Sequence, residues 1–149
     1  MSGGANQGAL TFRELDASDV DTVTALWREV DLVRPWNDPE GDFHGAIGGA
    51  TSAVLGAEID GVLRGTVMVG FDGHRGWLYY VAVAPSTQRS GVGTALTHRA
   101  EEWLAARGAH KVQLMVRRGN DEPRLFYGEL GYEPSDVTVF QKWLRSNRT

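Results

Sequence analysis

The chain has 149 residues, 42% hydrophobic and 23% charged, enough for one globular domain with a substantial core. It contains no cysteine, which excludes a disulfide framework, a thiolate metal site and a cysteine acyl-enzyme. Net charge is −4 but unevenly spread: residues 1–60 hold 3 basic against 11 acidic side chains (−8), and residues 61–149 hold 12 against 8 (+4).

No apolar run reaches the roughly 18 residues of a membrane span, and no basic stripe points to nucleic acid. Residues 1–9 lack the basic and apolar regions of a secretory signal and read as a flexible tail, which makes the cytoplasm the default location. Leu10, Phe12 and Glu14 alternate with Thr11, Arg13 and Leu15, predicting a short first strand. Asp16 to Ser18 offers helix caps, with Asp21 three residues after Ser18. Val20, Val23, Trp27 and Val30 then recur at helical spacing, predicting an amphipathic helix over 18–32. Residues 32–36 break it, and Asn37 or Asp38 before Pro39 starts a second helix, weakened by glycines at 41, 45, 48 and 49.

Strands are expected at 51–59, 62–71 and 77–83, joined as a meander by Asp60-Gly61 and by the loop 72–76. A helix over 91–107 turns Val92, Leu96, Ala100, Trp103 and Leu104 inward and ends at Gly108. A strand over 111–117 follows, parallel to 77–83 because a helix separates the two. A short helix over 123–130 closes at Gly131, and 137–144 is expected as a terminal strand. The order β-α-α-β-β-β-α-β-α-β makes an α/β fold with a mixed sheet, read as a single domain over 10–149.

The densest chemical signal is residues 77–96, W-L-Y-Y-V-A-V-A-P-S-T-Q-R-S-G-V-G-T-A-L. A strand feeds a Gly-rich turn at a helix start. The first helical N–H groups have no intrahelical partner and the helix dipole is positive there, so the turn is an anion cradle. Glycines let the backbone approach a phosphate, and Arg89 adds a permanent cation. The stretch therefore predicts a bound pyrophosphate. It is not a dinucleotide fingerprint, since Leu96 stands where the third Gly or Ala belongs. It is not a P-loop, since the chain has no Gly-Lys-Ser/Thr. No G-x-S-x-G elbow suggests a serine acyl-enzyme either. The bland alternative is a strand–turn–helix corner whose glycines serve packing alone.

What remains, Gln88-x-x-Gly91-x-Gly93 after Val81-Ala82-Val83-Ala84-Pro85, resembles the acetyl-CoA-binding motif of the GCN5-related N-acetyltransferases. The element order matches that family over roughly residues 10–145. The resemblance implies a splayed pair of central parallel strands whose unpaired main chain receives the pantetheine arm, with Val81, Ala82 and Val83 beside it. It places Gln88, Arg89, Ser90, Gly91, Val92, Gly93 and Thr94 at the pyrophosphate. Residues 120–132, N-D-E-P-R-L-F-Y-G-E-L-G-Y, look like a second family segment, with Pro123 in place of the usual Ala and Phe126 in place of the usual Leu. By that likeness Asn120 bonds the pantetheine and Tyr127 points at the cofactor sulfur. A phenol is protonated at neutral pH and can supply a proton to the departing thiolate. The other reading of Tyr127 is a buried aromatic whose hydroxyl caps a backbone group.

Taken together, these readings predict direct acetyl transfer from acetyl-CoA to an amine, by a monomer or homodimer with no metal, nucleic-acid or membrane partner. The runner-up is a catalytically silent acyl-CoA-binding regulatory module. A lysine-like amine stands about three pH units from half-deprotonated at pH 7, a handicap of roughly 4 kcal/mol. The base many family members carry as Glu near the start of the strand over 77–83 is missing, since Trp77 stands there; Tyr79, Glu58, Asp72 and His74 are the remaining candidates. The acceptor pocket is expected between the first two helices, at Arg34, Trp36, Asn37 and Asp38, with Tyr79. The same segment also reads as a rigid Pro-Trp connector whose Asn or Asp caps a helix. The acidic first half would steer a cationic acceptor, unless its carboxylates merely solvate helix faces.

Overall fold

The computed structural model describes residues 8–145, so the tail expected over 1–9 lies almost wholly outside the described residues. Two compact units make up the chain, dividing between Leu114 and Met115.

The first unit is a five-stranded sheet in the order β1-β2-β3-β4-β5 with helices on both faces. Its strands are β1 (Leu10–Glu14), β2 (Ser52–Ile59), β3 (Val62–Phe71), β4 (Gly76–Val83) and β5 (Val112–Gln113). The first four pair antiparallel, and β4 with β5 parallel. Asp60 (φ 54°) and Gly61 (φ 76°) both adopt left-handed backbone at the β2–β3 turn, as a two-residue hairpin with the right-handed strand twist requires.

Helices α1 (Val20–Glu29) and α2 (Pro39–Ala46) cover one face, where Val23, Leu26, Trp27 and Phe43 pack against Val54 and Ala82. The amphipathic spacing expected over 18–32 is borne out, but the start differs. A one-turn 3-10 helix (Ala17–Asp19) precedes α1, and Asp16 caps it: its carboxylate accepts from the Ser18 N–H, while Asp19 accepts from the Asp16 N–H, both at 2.9 Å. The box is therefore Asp16–Asp19 and not Ser18–Asp21, because the extended backbone of Asp16 (φ −128°) is the geometry a cap needs.

The other face is covered by α3 (Val92–Ala106), whose Val92, Leu96, Ala100, Trp103 and Leu104 are all buried as the periodicity expects. Two glycines set how closely it lies. A Cβ on Gly65 would stand 2.8 Å from Leu96 Cδ1 and 2.9 Å from the Ala82 carbonyl; one on Gly76 would stand 2.5 Å from Leu104 Cδ1. Both ends of α3 are thus seated on strand positions with no side chain.

The strand expected over 111–117 is shortened to Val112–Gln113, paired only as Gly76↔Val112 and Trp77↔Gln113. Among the described residues β4 has no strand partner on that side beyond Trp77, the parting of the parallel pair that the family resemblance implies.

In the second unit, α4 (Asp121–Glu129) starts two residues before the expected 123, leaving Pro123 in the first turn, where its missing N–H costs no helical bond. Gly131 (φ 93°) ends it as expected. No strand forms over 137–144. Alternating residues become a strand only when a neighbouring backbone completes the ladder, and none does so among the described residues.

Candidate active site

Strand β4, the loop after it and the start of α3 bring Val81 through Thr94 into one continuous stretch. Val81 and Val83 lean into the core under α3, while Ala82 is buried on the α1–α2 face. A one-turn 3-10 helix (Pro85–Thr87) follows Ala84. The loop is held from within: the Gln88 side-chain amide donates to the Val83 carbonyl at 3.2 Å, and the Ser90 hydroxyl donates to the Thr87 carbonyl. Gln88, Arg89, Ser90 and Gly91 are exposed, Gly93 and Thr94 half-buried, and Val92 anchors the loop in the core.

Gly91 is the N-cap of α3, at φ 87° and ψ 2°, and no side chain caps the helix. The N–H groups of the first turn are therefore left for another acceptor. A Cβ on Gly91 would meet nothing within 4 Å, so the space before the helix is open. Arg89 itself adopts φ 66°, a left-handed conformation that turns the chain at this loop. Uncapped amides, open space and an exposed guanidinium fit a pyrophosphate, and the unpartnered edge of β4 fits an amide-bearing chain beside it.

The sequence did not reveal the arrangement on the opposite face of β4. The register with β3 slips between Met68↔Tyr79 and Thr66↔Ala82, and within that bulge Tyr80 has φ 50°. The Tyr80 ring lies flat on Trp27, with centroids 3.8 Å apart and planes 10° apart. The Trp27 indole N–H donates to Thr66 Oγ1 at 2.9 Å, and the Thr66 hydroxyl donates to the Tyr80 carbonyl at 3.1 Å. The Tyr80 hydroxyl donates to Asp42 Oδ2 at 2.8 Å. Burial first, then the Asp42 bond and the charges of Asp42 and Asp38, hold this phenol well above its ordinary range. Trp27 had a sequence signal, as an inward residue of α1. Tyr80 and Asp42 had none, because neither a bulge nor a contact across 38 residues shows in periodicity.

The acceptor-segment residues lie between α1 and α2. Arg34 and Asn37 close a turn reciprocally: the Arg34 N–H donates to Asn37 Oδ1 at 2.8 Å, and the Asn37 N–H donates to the Arg34 carbonyl at 2.9 Å. Asp38 caps α2 through the Gly41 N–H at 3.1 Å. The connector reading thus accounts for Asn37 and Asp38, while Trp36 is exposed. Tyr79 is exposed and stacks on Trp77 with centroids 6.5 Å apart; partial burial and then the Asp72 charge raise its phenol.

Of the base candidates, Glu58 is held by Arg13 at 3.1 Å. Asp72 accepts from the N–H groups of Arg75 (2.7 Å) and His74 (2.8 Å), which hold its carboxyl below the usual range. His74 is exposed in that hairpin loop. Turn chemistry explains this loop.

In the second unit, Asn120 is the N-cap of α4, yet its side chain makes no capping bond. Tyr127 follows seven residues later, two helical turns on and so on the same side. Its ring packs edge-on to Phe126 (5.0 Å) and Tyr132 (5.7 Å), and burial pushes its phenol up to about 12.

The model of the acetyltransferase (GNAT) family matches residues 20–132. The chain belongs to that family. Solved structures share the fold at low identity. The aminoglycoside acetyltransferase AAC(6')-Iy, in complex with a bisubstrate analogue of CoA, is 17% identical with a TM-score of 0.77, over 91% of this chain and 99% of that one. A predicted acetyltransferase from Clostridium acetobutylicum with acetyl-CoA is 15% identical with a TM-score of 0.74, over 90% and 96%. The ribosomal-protein-alanine N-acetyltransferase from Brucella melitensis biovar Abortus 2308 is 19% identical with a TM-score of 0.73, over 91% and 99%. Among the described residues no helix is long and apolar enough to cross a membrane, and no group of His, Asp or Glu could hold a metal ion.

Proposed function

We propose that this protein is an N-acetyltransferase that moves the acetyl group of acetyl-CoA directly to an amine, acting in the cytoplasm. The observation that carries the reading is Gly91: an uncapped α3 start in open space, directly after a strand whose edge has lost its partner. Family membership and the CoA-bound relatives support the donor.

The bound thioester supplies an activated acetyl group. The residues of this chain hold and orient it. Backbone N–H groups of the first turn of α3, with Arg89, receive the pyrophosphate; main-chain groups of Val81 to Val83 receive the pantetheine amides; Asn120 adds a side-chain bond. With no cysteine in the chain and no serine elbow, no acyl-enzyme is required.

The family likeness of residues 120–132 assigns Tyr127 to the departing sulfur. Burial holds its phenol up at about 12, above an ordinary thiol, so full proton transfer to a free thiolate is unfavourable. Its role is therefore to donate a hydrogen bond as negative charge gathers on sulfur, with the final proton coming from solvent or from the attacking amine.

Equilibrium binding of acetyl-CoA to wild type and to Arg89→Ala tests the cradle. A loss of affinity that shrinks as salt rises is expected, because an exposed guanidinium acts largely through screened charge. An unchanged dissociation constant contradicts the pyrophosphate role.

A further inference from the structure

We infer that Thr66, itself set by Trp27, is a positioning residue: it turns the Tyr80–Val81 peptide so that the Val81 N–H faces the pantetheine arm of the donor. This rests on the acetyltransfer reading above, which lays that arm along β4. Three observations carry it.

The first is donor–acceptor accounting inside the core. Trp27 and Thr66 are both fully buried. An indole N–H can only donate, and this one donates to Thr66 Oγ1 at 2.9 Å. That bond takes a lone pair of the hydroxyl and leaves its single hydrogen to be placed elsewhere. The Tyr80 carbonyl receives it at 3.1 Å.

The second is the conformation of Tyr80. It lies in the bulge where the register slips between Met68↔Tyr79 and Thr66↔Ala82, and its φ is 50°. A non-glycine residue in that region persists only when its surroundings hold it. Trp27 holds Tyr80 twice: by stacking on its ring at 3.8 Å, and through Thr66 at its carbonyl.

The third is peptide planarity. In a planar trans unit the C=O of one residue and the N–H of the next point in opposite directions. No peptide bond among the described residues is cis. With the Tyr80 carbonyl drawn to Thr66 on β3, the Val81 N–H is turned away from Thr66. Beyond Trp77, among the described residues, β4 has no strand partner on the side away from β3. A carbonyl of the arm supplies the acceptor that a neighbouring strand would otherwise give.

Thr66 itself touches no donor atom. It acts through the direction of one main-chain group, so its effect is confined to the arm and leaves the pyrophosphate turn at Gly91 alone.

The test compares equilibrium binding of acetyl-CoA, which carries the arm, with that of ADP, which carries a pyrophosphate without it, in wild type, Thr66→Val, Thr66→Ser and Trp27→Phe. Thr66→Val should weaken acetyl-CoA binding about two- to tenfold, the worth of one hydrogen bond, and leave ADP binding unchanged. Thr66→Ser keeps the hydroxyl and should return acetyl-CoA affinity to near the wild-type value. Trp27→Phe keeps a ring against Tyr80 and removes the N–H that sets the Thr66 hydroxyl, so it should show the same arm-specific loss even where Thr66→Val does not fold. A loss shared equally by the two ligands, or a Thr66→Ser protein as weak as Thr66→Val, overturns the proposal, because general loosening of the core would do either. In protein isotopically labelled at the valine nitrogens, acetyl-CoA should shift the Val81 amide resonance in wild type. A Val81 amide that ignores acetyl-CoA also overturns it. None of these readouts depends on turnover. Arm-specific binding without amine-dependent thiol release would keep the positioning role and defeat the acetyltransfer reading; thiol release with acetyl-CoA affinity untouched by Thr66→Val and Trp27→Phe would defeat the positioning role alone.

Discussion

Trp27 and Tyr80 stack with ring centroids 3.8 Å apart, and the indole N–H of the same Trp27 donates to Thr66 at 2.9 Å. One residue of α1 thereby fixes both strands of the β3–β4 bulge. Trp27 and Thr66 are fully buried, so this hydrogen bond has no water to replace it.

Thr66→Val removes the acceptor while keeping the shape. The indole N–H is left unpaired in the core, at a cost of about 1–3 kcal/mol. Thermal unfolding should fall by about 3–10 °C. A variant that unfolds at the wild-type temperature would show that this bond contributes nothing net.

Gly65→Ala and Gly91→Ala separate close packing from backbone strain. At Gly65 the new Cβ would stand 2.8 Å from Leu96 Cδ1 and 2.9 Å from the Ala82 carbonyl. Overpacking of this kind costs about 1–3 kcal/mol and should push the start of α3 off the sheet. At Gly91 nothing lies within 4 Å, but φ is 87°. The cost there is strain alone, about 1–2 kcal/mol. Denaturant midpoints should fall for both. Only Gly65→Ala should also lose the packing of Leu96, read as a shifted methyl resonance.

The Arg13–Asp19 pair gives a pH prediction. The bond from Arg13, aided by the Asp16 N–H against the opposing effect of burial, holds the Asp19 carboxyl below its ordinary value. A depressed carboxyl stabilises the fold above its unfolded value and loses that contribution as pH falls through the folded one. Asp19→Asn should therefore be less stable than wild type at pH 7, by about 0.2–1 kcal/mol for a solvent-screened pair. The gap should close below about pH 4. A gap that is constant from pH 7 to pH 2 would assign the loss to capping instead.

Tyr127→Phe removes a hydrogen bond to developing negative charge, worth about 1.5–3 kcal/mol. The expected loss in kcat is about 10- to 100-fold, with the acetyl-CoA dissociation constant nearly unchanged. Wild-type turnover in this variant would return Tyr127 to a packing role.

Legibility from sequence followed the range of the interactions. Hairpins and α3 were legible because Asp60-Gly61 and the spacing of Val92, Leu96, Ala100, Trp103 and Leu104 are local signals. The uncapped turn at the start of α3 was legible because Gln88 to Gly93 is contiguous. The bulge was not, since Tyr80 differs from Tyr79 only in what β3 and α2 do to it. The expected strand over 111–117 was shortened to Val112–Gln113, and that over 137–144 did not form, for a related reason. A strand is a property of two backbones, and one chain segment shows only its own half. The Tyr80–Asp42 bond joins residues on different elements, and only folding puts them together.

The central claim is transfer of an acetyl group from acetyl-CoA to an amine, and release of the CoA thiol measures it directly. The chain has no cysteine, so a thiol-reactive dye reports the product with no background from the protein. With acetyl-CoA and a panel of peptides and small amines, at least one acceptor should give sustained, amine-dependent thiol release matched by acetylated product. Saturable acetyl-CoA binding without amine-dependent release for any acceptor would contradict the account and leave a protein that binds the donor without using it.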